Sequence, residues 1–133
     1  MKPRGGPWRR EPGVYHLRMG GCSGCSEMVD SILRDGTGTA RPAECSSPRH
    51  ADAVIVTGLW TPQLAGPALR VISQAPRPLR LLVVGDCALG VGLTAAWTKR
   101  AESVLSHLEA DLQIAGCPVE PVAILEGVRR VSG

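Results

Sequence analysis

Four cysteines lie where they could do chemistry together. Cys22 and Cys25 fall in Gly21-Cys-Ser-Gly-Cys-Ser-Glu27, Cys87 in Gly85-Asp-Cys-Ala88 and Cys117 in Gly116-Cys-Pro118. Each loop is built of small residues, and at least two directly follow an apolar, strand-like run. Four thiolates converging on one point suit a [4Fe–4S] cluster. The C-x-x-C pair supplies two ligands from one turn, and single cysteines on other loops supply the rest. Glycines beside the ligands let the backbone approach closely. Their N–H groups can then donate to cluster sulfurs, which raises the reduction potential. A helix starting near Ser26 would aim its positive end at the same place. The chain is thus a candidate electron carrier.

Other chemistries compete for these residues. Strand, C-x-x-C, helix is also the layout of a thioredoxin-like redox pair, whose helix lowers a thiol pKa. That reading uses Cys22 and Cys25 and leaves Cys87 and Cys117 unexplained. A structural zinc site with four cysteine ligands usually has two C-x-x-C knuckles, and one is present here. The plainest alternative makes Cys87 and Cys117 small buried core residues. Cys45, the fifth cysteine, lies in a loop before the second expected strand, on the opposite sheet edge. It is expected not to be a ligand.

The elements that must position these loops can be read from apolar spacing. Val14-Tyr-His-Leu-Arg-Met19 alternates like a strand, and Gly20-Gly21 break it. Ser26 to Arg34 carries Met28, Val29, Ile32 and Leu33 at helical spacing, with Asp35-Gly36 as its stop. Residues 36–50 read as a loop. Ala51 to Thr57 reads as a buried strand ended by Gly58. Pro62 to Gln74 reads as a helix with Thr61 as N-cap and Pro62 in its first turn; Gly66-Pro67 offers an alternative start one turn later. Leu79 to Val84 is nearly all apolar, as in a central parallel strand. Thr94 to Ala110 carries Trp97, Ala101, Val104, Leu105 and Leu108 on one helical face. Leu112 to Ala115 is a short strand, and Pro121 to Val131 the last helix. The order β-α-β-α-β-α-β-α predicts an α/β fold: a parallel sheet with helices on both faces. Right-handed crossovers then put every strand's C-terminal end on one edge. Cys22, Cys87, Cys117 and Gly58 all follow strands and collect there.

Composition narrows the class. The chain has 133 residues, enough for one domain with its own core. With no Phe, one Tyr and three Trp, that core must be aliphatic. Residues 1–12, rich in Gly, Pro and Arg, are expected to form a flexible basic arm, and 13–133 a single domain. The net charge of +3 is modest, and Gly and Pro interrupt the basic run, so no nucleic-acid partner is expected. No apolar run approaches the ~20 residues that span a bilayer, and Arg9-Arg10 is followed by Glu11-Pro12, not by the apolar segment of an export signal. A cytoplasmic location, where thiols stay reduced, is expected.

These motifs resemble a known family. The chain looks like the small subunit of [NiFe]-hydrogenases and the homologous B subunit of NADH-quinone oxidoreductase (complex I). The resemblance rests on the Cys22/Cys25 motif, Ser47-Pro-Arg-His-Ala-Asp52 with Val54 to Gly58, Gly85-Asp-Cys-Ala88 with Gly90 and Gly92, and Gly116-Cys-Pro118 with Pro121, Ile124, Leu125 and Gly127. They occur in family order across residues 14–130. The resemblance implies a flavodoxin-like domain holding one [4Fe–4S] cluster on Cys22, Cys25, Cys87 and Cys117, the cluster nearest a large catalytic subunit. It also implies a ferredoxin-like subunit, membrane-arm subunits, and peripheral attachment to the inner face of the cell membrane through those partners. The C-x-x-C spacing and Ser-Pro-Arg-His-Ala-Asp look like the hydrogenase form. The absence of further cluster ligands resembles the short small subunits of membrane-bound, complex I-like (group 4) hydrogenases. The quinone-linked complex I counterpart, an NADH-quinone oxidoreductase component passing electrons to quinone, is the alternative. Val119 departs from the family, where a second proline is common, and residues 92–112 do not match clearly.

The resemblance gives Glu27 a role near the subunit interface, in proton movement; otherwise it is a carboxylate favoured by a helix N-terminus. Arg49, with His50, is a candidate for pairing with a partner's carboxylate, against a solvated loop. His16 and His107 read as ordinary strand and helix residues. Asp86 either tunes the cluster or hydrogen-bonds its loop.

Overall fold

The computed structural model describes residues 13–20, 24–35, 43–59, 62–75, 80–89 and 110–132. The expected arm, Cys22, most of the helix expected over 94–110, and His107 lie outside them. Along the chain run β1 (Gly13–Arg18), α1 (Gly24–Asp35), β2 (Ala43–Glu44), a 3₁₀ turn (Pro48–His50), β3 (Ala53–Thr57), α2 (Pro62–Ser73), β4 (Arg80–Val84), the single-turn α3 (Asp86–Leu89), β5 (Leu112–Ile114) and α4 (Pro121–Ser132).

All four strand pairings are parallel, and the sheet order is β2-β1-β3-β4-β5. This is the flavodoxin-like order. Every residue of β3 is buried, and four of the five in β4. That follows from their unbroken aliphatic sequences, which need cover on both faces. On one face α1 and α4 pack Val29, Ile32, Leu33, Ile124 and Val128 against Val14, Ile55, Leu82 and Val84. On the other, α2 and α3 bring Ala68, Ile72 and Ala88 onto Val54, Val56, Leu81 and Val83. The core among the described residues is aliphatic, as the scarcity of aromatics requires.

Three short elements depart from the sequence reading. Residues 36–50, expected as loop throughout, contain β2, a two-residue edge strand held by the start of β1, and the 3₁₀ turn capped by the Ser47 side chain. Asp86–Leu89 forms a helical turn directly after β4. Helix α2 starts at Pro62 and continues through Pro67, so Gly66-Pro67 does not shift its start.

Candidate functional site

The carboxyl ends of β1 and β3 form the switch point of this sheet, since β2 lies to one side and β4 to the other. Ligands of open α/β sheets bind at such crevices. The two ends are stitched together: Met19 N donates to Thr57 O at 2.8 Å and Leu59 N to Gly20 O at 2.6 Å. Between them Gly58 has φ +92°, and a Cβ there would lie 2.5 Å from Gly20 O, so a side chain is excluded.

A pocket opens here. Its walls are Met19 and Val84, the glycines 24 and 58, Ser26, and the sulfur-bearing Cys25 and Cys87. Cys25 sits in the first turn of α1 and Cys87 in α3. Gly85, at the end of β4, is the closest approach of the turns. Its φ is +97°, and a Cβ there would lie 2.5 Å from Cys25 Sγ and 3.8 Å from Gly116 O. The Cys117 turn adjoins the same point. Gly85 N donates to Ile114 O at 2.8 Å, Asp86 N to Gly116 O at 2.9 Å, and Gly116 N to Asp86 Oδ1 at 2.9 Å.

The structure therefore brings Cys25 and Cys87 into one pocket and sets Cys117 on the neighbouring turn, with its side chain exposed. That exposure removes the core-filling reading for Cys117. Among the described residues no group of three or more His, Cys, Asp or Glu side chains is gathered closely enough to hold a metal ion. The donor chemistry and the cradle nevertheless fit an iron–sulfur group. Two thiols share a pocket with apolar walls, and the missing Cβ of Gly85 makes room for one of the sulfurs.

Beneath the pocket runs a buried polar chain that the sequence reading missed. His16 is buried on β1. Its Nε2 lies 2.8 Å from Thr57 Oγ1, which lies 2.8 Å from Ser26 Oγ in the pocket wall. Its Nδ1 lies 3.2 Å from Asp30 Oδ1, which also accepts from Arg18. Burial pushes the imidazole pKa below 6.5; the Asp30 hydrogen bond opposes this and the Arg18 charge adds to it. The pair with Asp30 is thus a hydrogen bond donated by a neutral ring at neutral pH, not an ion pair. The available signal was position: His16 shares the inward-facing register of Val14, where an imidazole needs partners.

The other candidates scatter. Glu27 is exposed in the first turn of α1. Arg49 and His50 are exposed on the 3₁₀ turn, at the edge where β3 begins, opposite the pocket. Cys45 follows β2 on that opposite edge; its N–H donates to Val14 O and its Sγ lies 3.6 Å from His50 O.

A parallel sheet of this order with thiol-bearing turns along its carboxyl edge defines an α/β domain whose candidate site lies at that edge. The family model described as NADH ubiquinone oxidoreductase, 20 Kd subunit, matches residues 22–131, and the chain belongs to that family of oxidoreductase-complex subunits. It is 31% identical over 121 residues to a probable membrane-bound hydrogenase subunit of Pyrococcus furiosus, covering 90% of this chain and 72% of that relative. With formate hydrogenlyase subunit 7 of Escherichia coli it shares 32% over 131 residues, 94% of this chain but half of that protein. Among solved structures, a chain of the membrane-bound sulfane sulfur reductase, an archaeal respiratory membrane complex, matches with a TM-score of 0.67 at 25% identity, covering 93% of this chain and 70% of that one. No helix among the described residues is long and apolar enough to cross a membrane.

Proposed function

We propose that this chain is the electron-transfer subunit of a membrane-associated, complex I-like [NiFe]-hydrogenase, holding one [4Fe–4S] cluster on Cys22, Cys25, Cys87 and Cys117. The observation that carries this reading is the meeting of the Cys25, Cys87 and Cys117 turns around Gly85 at the carboxyl edge of the sheet, beside the switch point. When bound, such a cluster supplies a one-electron donor and acceptor. The chain's own residues do the holding: thiolates as ligands, Met19 and Val84 as a dry wall, and the N-terminal end of α1 as a favourable dipole for a negatively charged group. The membrane-bound hydrogenase subunit among its relatives, together with the Cys22/Cys25 spacing, supports a hydrogenase large subunit as partner; NAD(P)H-quinone oxidoreductase subunits, 36% identical over shorter stretches, support the quinone-linked alternative. Ferredoxin-like and membrane-arm subunits complete the assembly. Glu27, exposed beside Cys25, is on the side that the large subunit would cover.

Anaerobic reconstitution of the full chain with ferrous iron and sulfide tests this. About four iron per chain are expected, with the EPR signal of a reduced cubane. Serine at Cys22, Cys25, Cys87 or Cys117 should abolish the full complement, and Cys45→Ser should retain it. Full iron in Cys87→Ser or Cys117→Ser would overturn the ligand set, and iron-independent disulfide exchange by Cys22 and Cys25 would overturn the proposal in favour of a thiol-redox site.

A further inference from the structure

The β4–β5 ladder does not stop where the strands end. The last paired residues are Val84 and Ile114. Gly85 N–H then bonds Ile114 O, and Asp86 N–H bonds Gly116 O. At Asp86 the main chain turns into α3. The next rung is completed instead by a side chain: Gly116 N–H donates to Asp86 Oδ1 at 2.9 Å, across 30 residues of sequence. Asp86 thus grips Gly116 twice: its N–H donates to the Gly116 carbonyl and its carboxylate accepts from the Gly116 amide. The residue after Asp86 is Cys87, and the residue after Gly116 is Cys117.

We propose that Asp86 is the positioning residue of the sulfur site: its reciprocal pair of hydrogen bonds with Gly116 locks the Cys87 and Cys117 turns in register before any metal arrives. The alternative local role, capping its own helical turn, does not account for a carboxylate spent on another strand's loop. A carboxylate is a stronger hydrogen-bond acceptor than a neutral oxygen, and here it holds the two turns in a single arrangement. Removing the carboxylate leaves the Asp86 N–H bond and frees Gly116 to swing. The fold survives, because the core lies below these turns, while the two sulfurs lose their fixed relation. The inference rests on the ligand set proposed above, but the bracket itself is a property of the metal-free chain.

The test uses both states of the full chain. In the metal-free protein, amide hydrogen exchange should show Gly116 protected alongside Gly85. In Asp86→Ala that protection should fall by about tenfold or more, with the buried amides of β3 unchanged. In the reconstituted protein, Asp86→Ala should lose iron to a chelator about 10–100-fold faster than wild type, with a broadened EPR signal. Asp86→Asn, which keeps an oxygen acceptor there, should retain iron near the wild-type rate. An unprotected Gly116 amide in the wild type would overturn the inference, whether or not the alanine variant folds. So would iron loss in Asp86→Ala at the wild-type rate, or equal loss in the alanine and asparagine variants. If wild type itself takes up no iron, the functional proposal fails, and the exchange measurement still decides the bracket.

Discussion

His16 shows how one buried side chain fixes the direction of a whole hydrogen-bond chain. Asp30 and the Arg18 guanidinium bonded to it are the charged groups acting on the ring. A carboxylate can only accept, so Nδ1–H donates to Asp30. The neutral ring then offers Nε2 as acceptor, and the Thr57 hydroxyl donates to it. Thr57 Oγ1 is left to accept from Ser26, whose side chain lines the pocket. Protonating the ring would put a second N–H against Thr57 and a charge where water does not reach. The folded state therefore resists a proton that the unfolded chain accepts near pH 6.5. With more protons bound in the unfolded state, stability rises with pH. His16 contributes stability that is fully present above pH 6.5 and is lost as pH falls below it toward the depressed folded-state value. Urea melts at stepped pH should show the midpoint falling across this window. His16→Gln should be destabilised by about 1–3 kcal/mol at pH 7.5, from unsatisfied partners, and should show a flatter fall. A variant whose midpoint tracks pH like wild type would place the titration on another group.

The elements meet at glycines, and those positions separate tolerance from strain. At Gly85 an alanine methyl would sit 2.5 Å from Cys25 Sγ, with φ at +97°. The backbone strain alone costs about 1–3 kcal/mol, and the sulfur must move. Gly85→Ala should melt lower and bind iron poorly. Gly66, inside α2, has nothing within 4 Å of a Cβ. Gly66→Ala should gain about 0.5–1 kcal/mol, a melting rise of about 2–8 °C, with iron uptake unchanged. Thermal melts of the two variants check both signs. The long apolar elements were legible from the sequence: Ala53–Thr57 and the last four residues of β4 have nothing but core to face, and α1 buries Val29, Ile32 and Leu33 as spaced. What stayed hidden had no pattern of its own. β2 is two residues long and exists because β1 offers an edge. The α3 turn is too short to show a period. The His16 chain needs Thr57 and Asp30, 41 and 14 residues away. The cysteine edge could be anticipated because loop position follows from topology alone; the Asp86 bracket could not, since it requires knowing that β4 and β5 are neighbours.

The sheet as a whole sorts its cysteines by edge. Parallel strands send Cys25, Cys87 and Cys117 to the carboxyl side, while β2 and the 3₁₀ turn keep Cys45 at the other. The two sides differ in access as well as place. Cys117 is exposed, whereas Cys25, Cys87 and Cys45 are half-buried. Next to the Cys117 turn, the first turn of α4 leaves Val122 66% exposed. A large subunit seated there would cover both and exclude water from the sulfurs. In the isolated metal-free chain, thiol alkylation followed by mass spectrometry should label Cys117 first and Cys25 and Cys87 more slowly. Reconstitution should then protect these three together and leave the rate at Cys45 unchanged, because its surroundings are the His50 carbonyl and the start of β1. Cys45 thus reports on the rest of the fold: protection that spread to it equally would mean that iron uptake tightens the entire domain, and the edge would lose its claim to be the site.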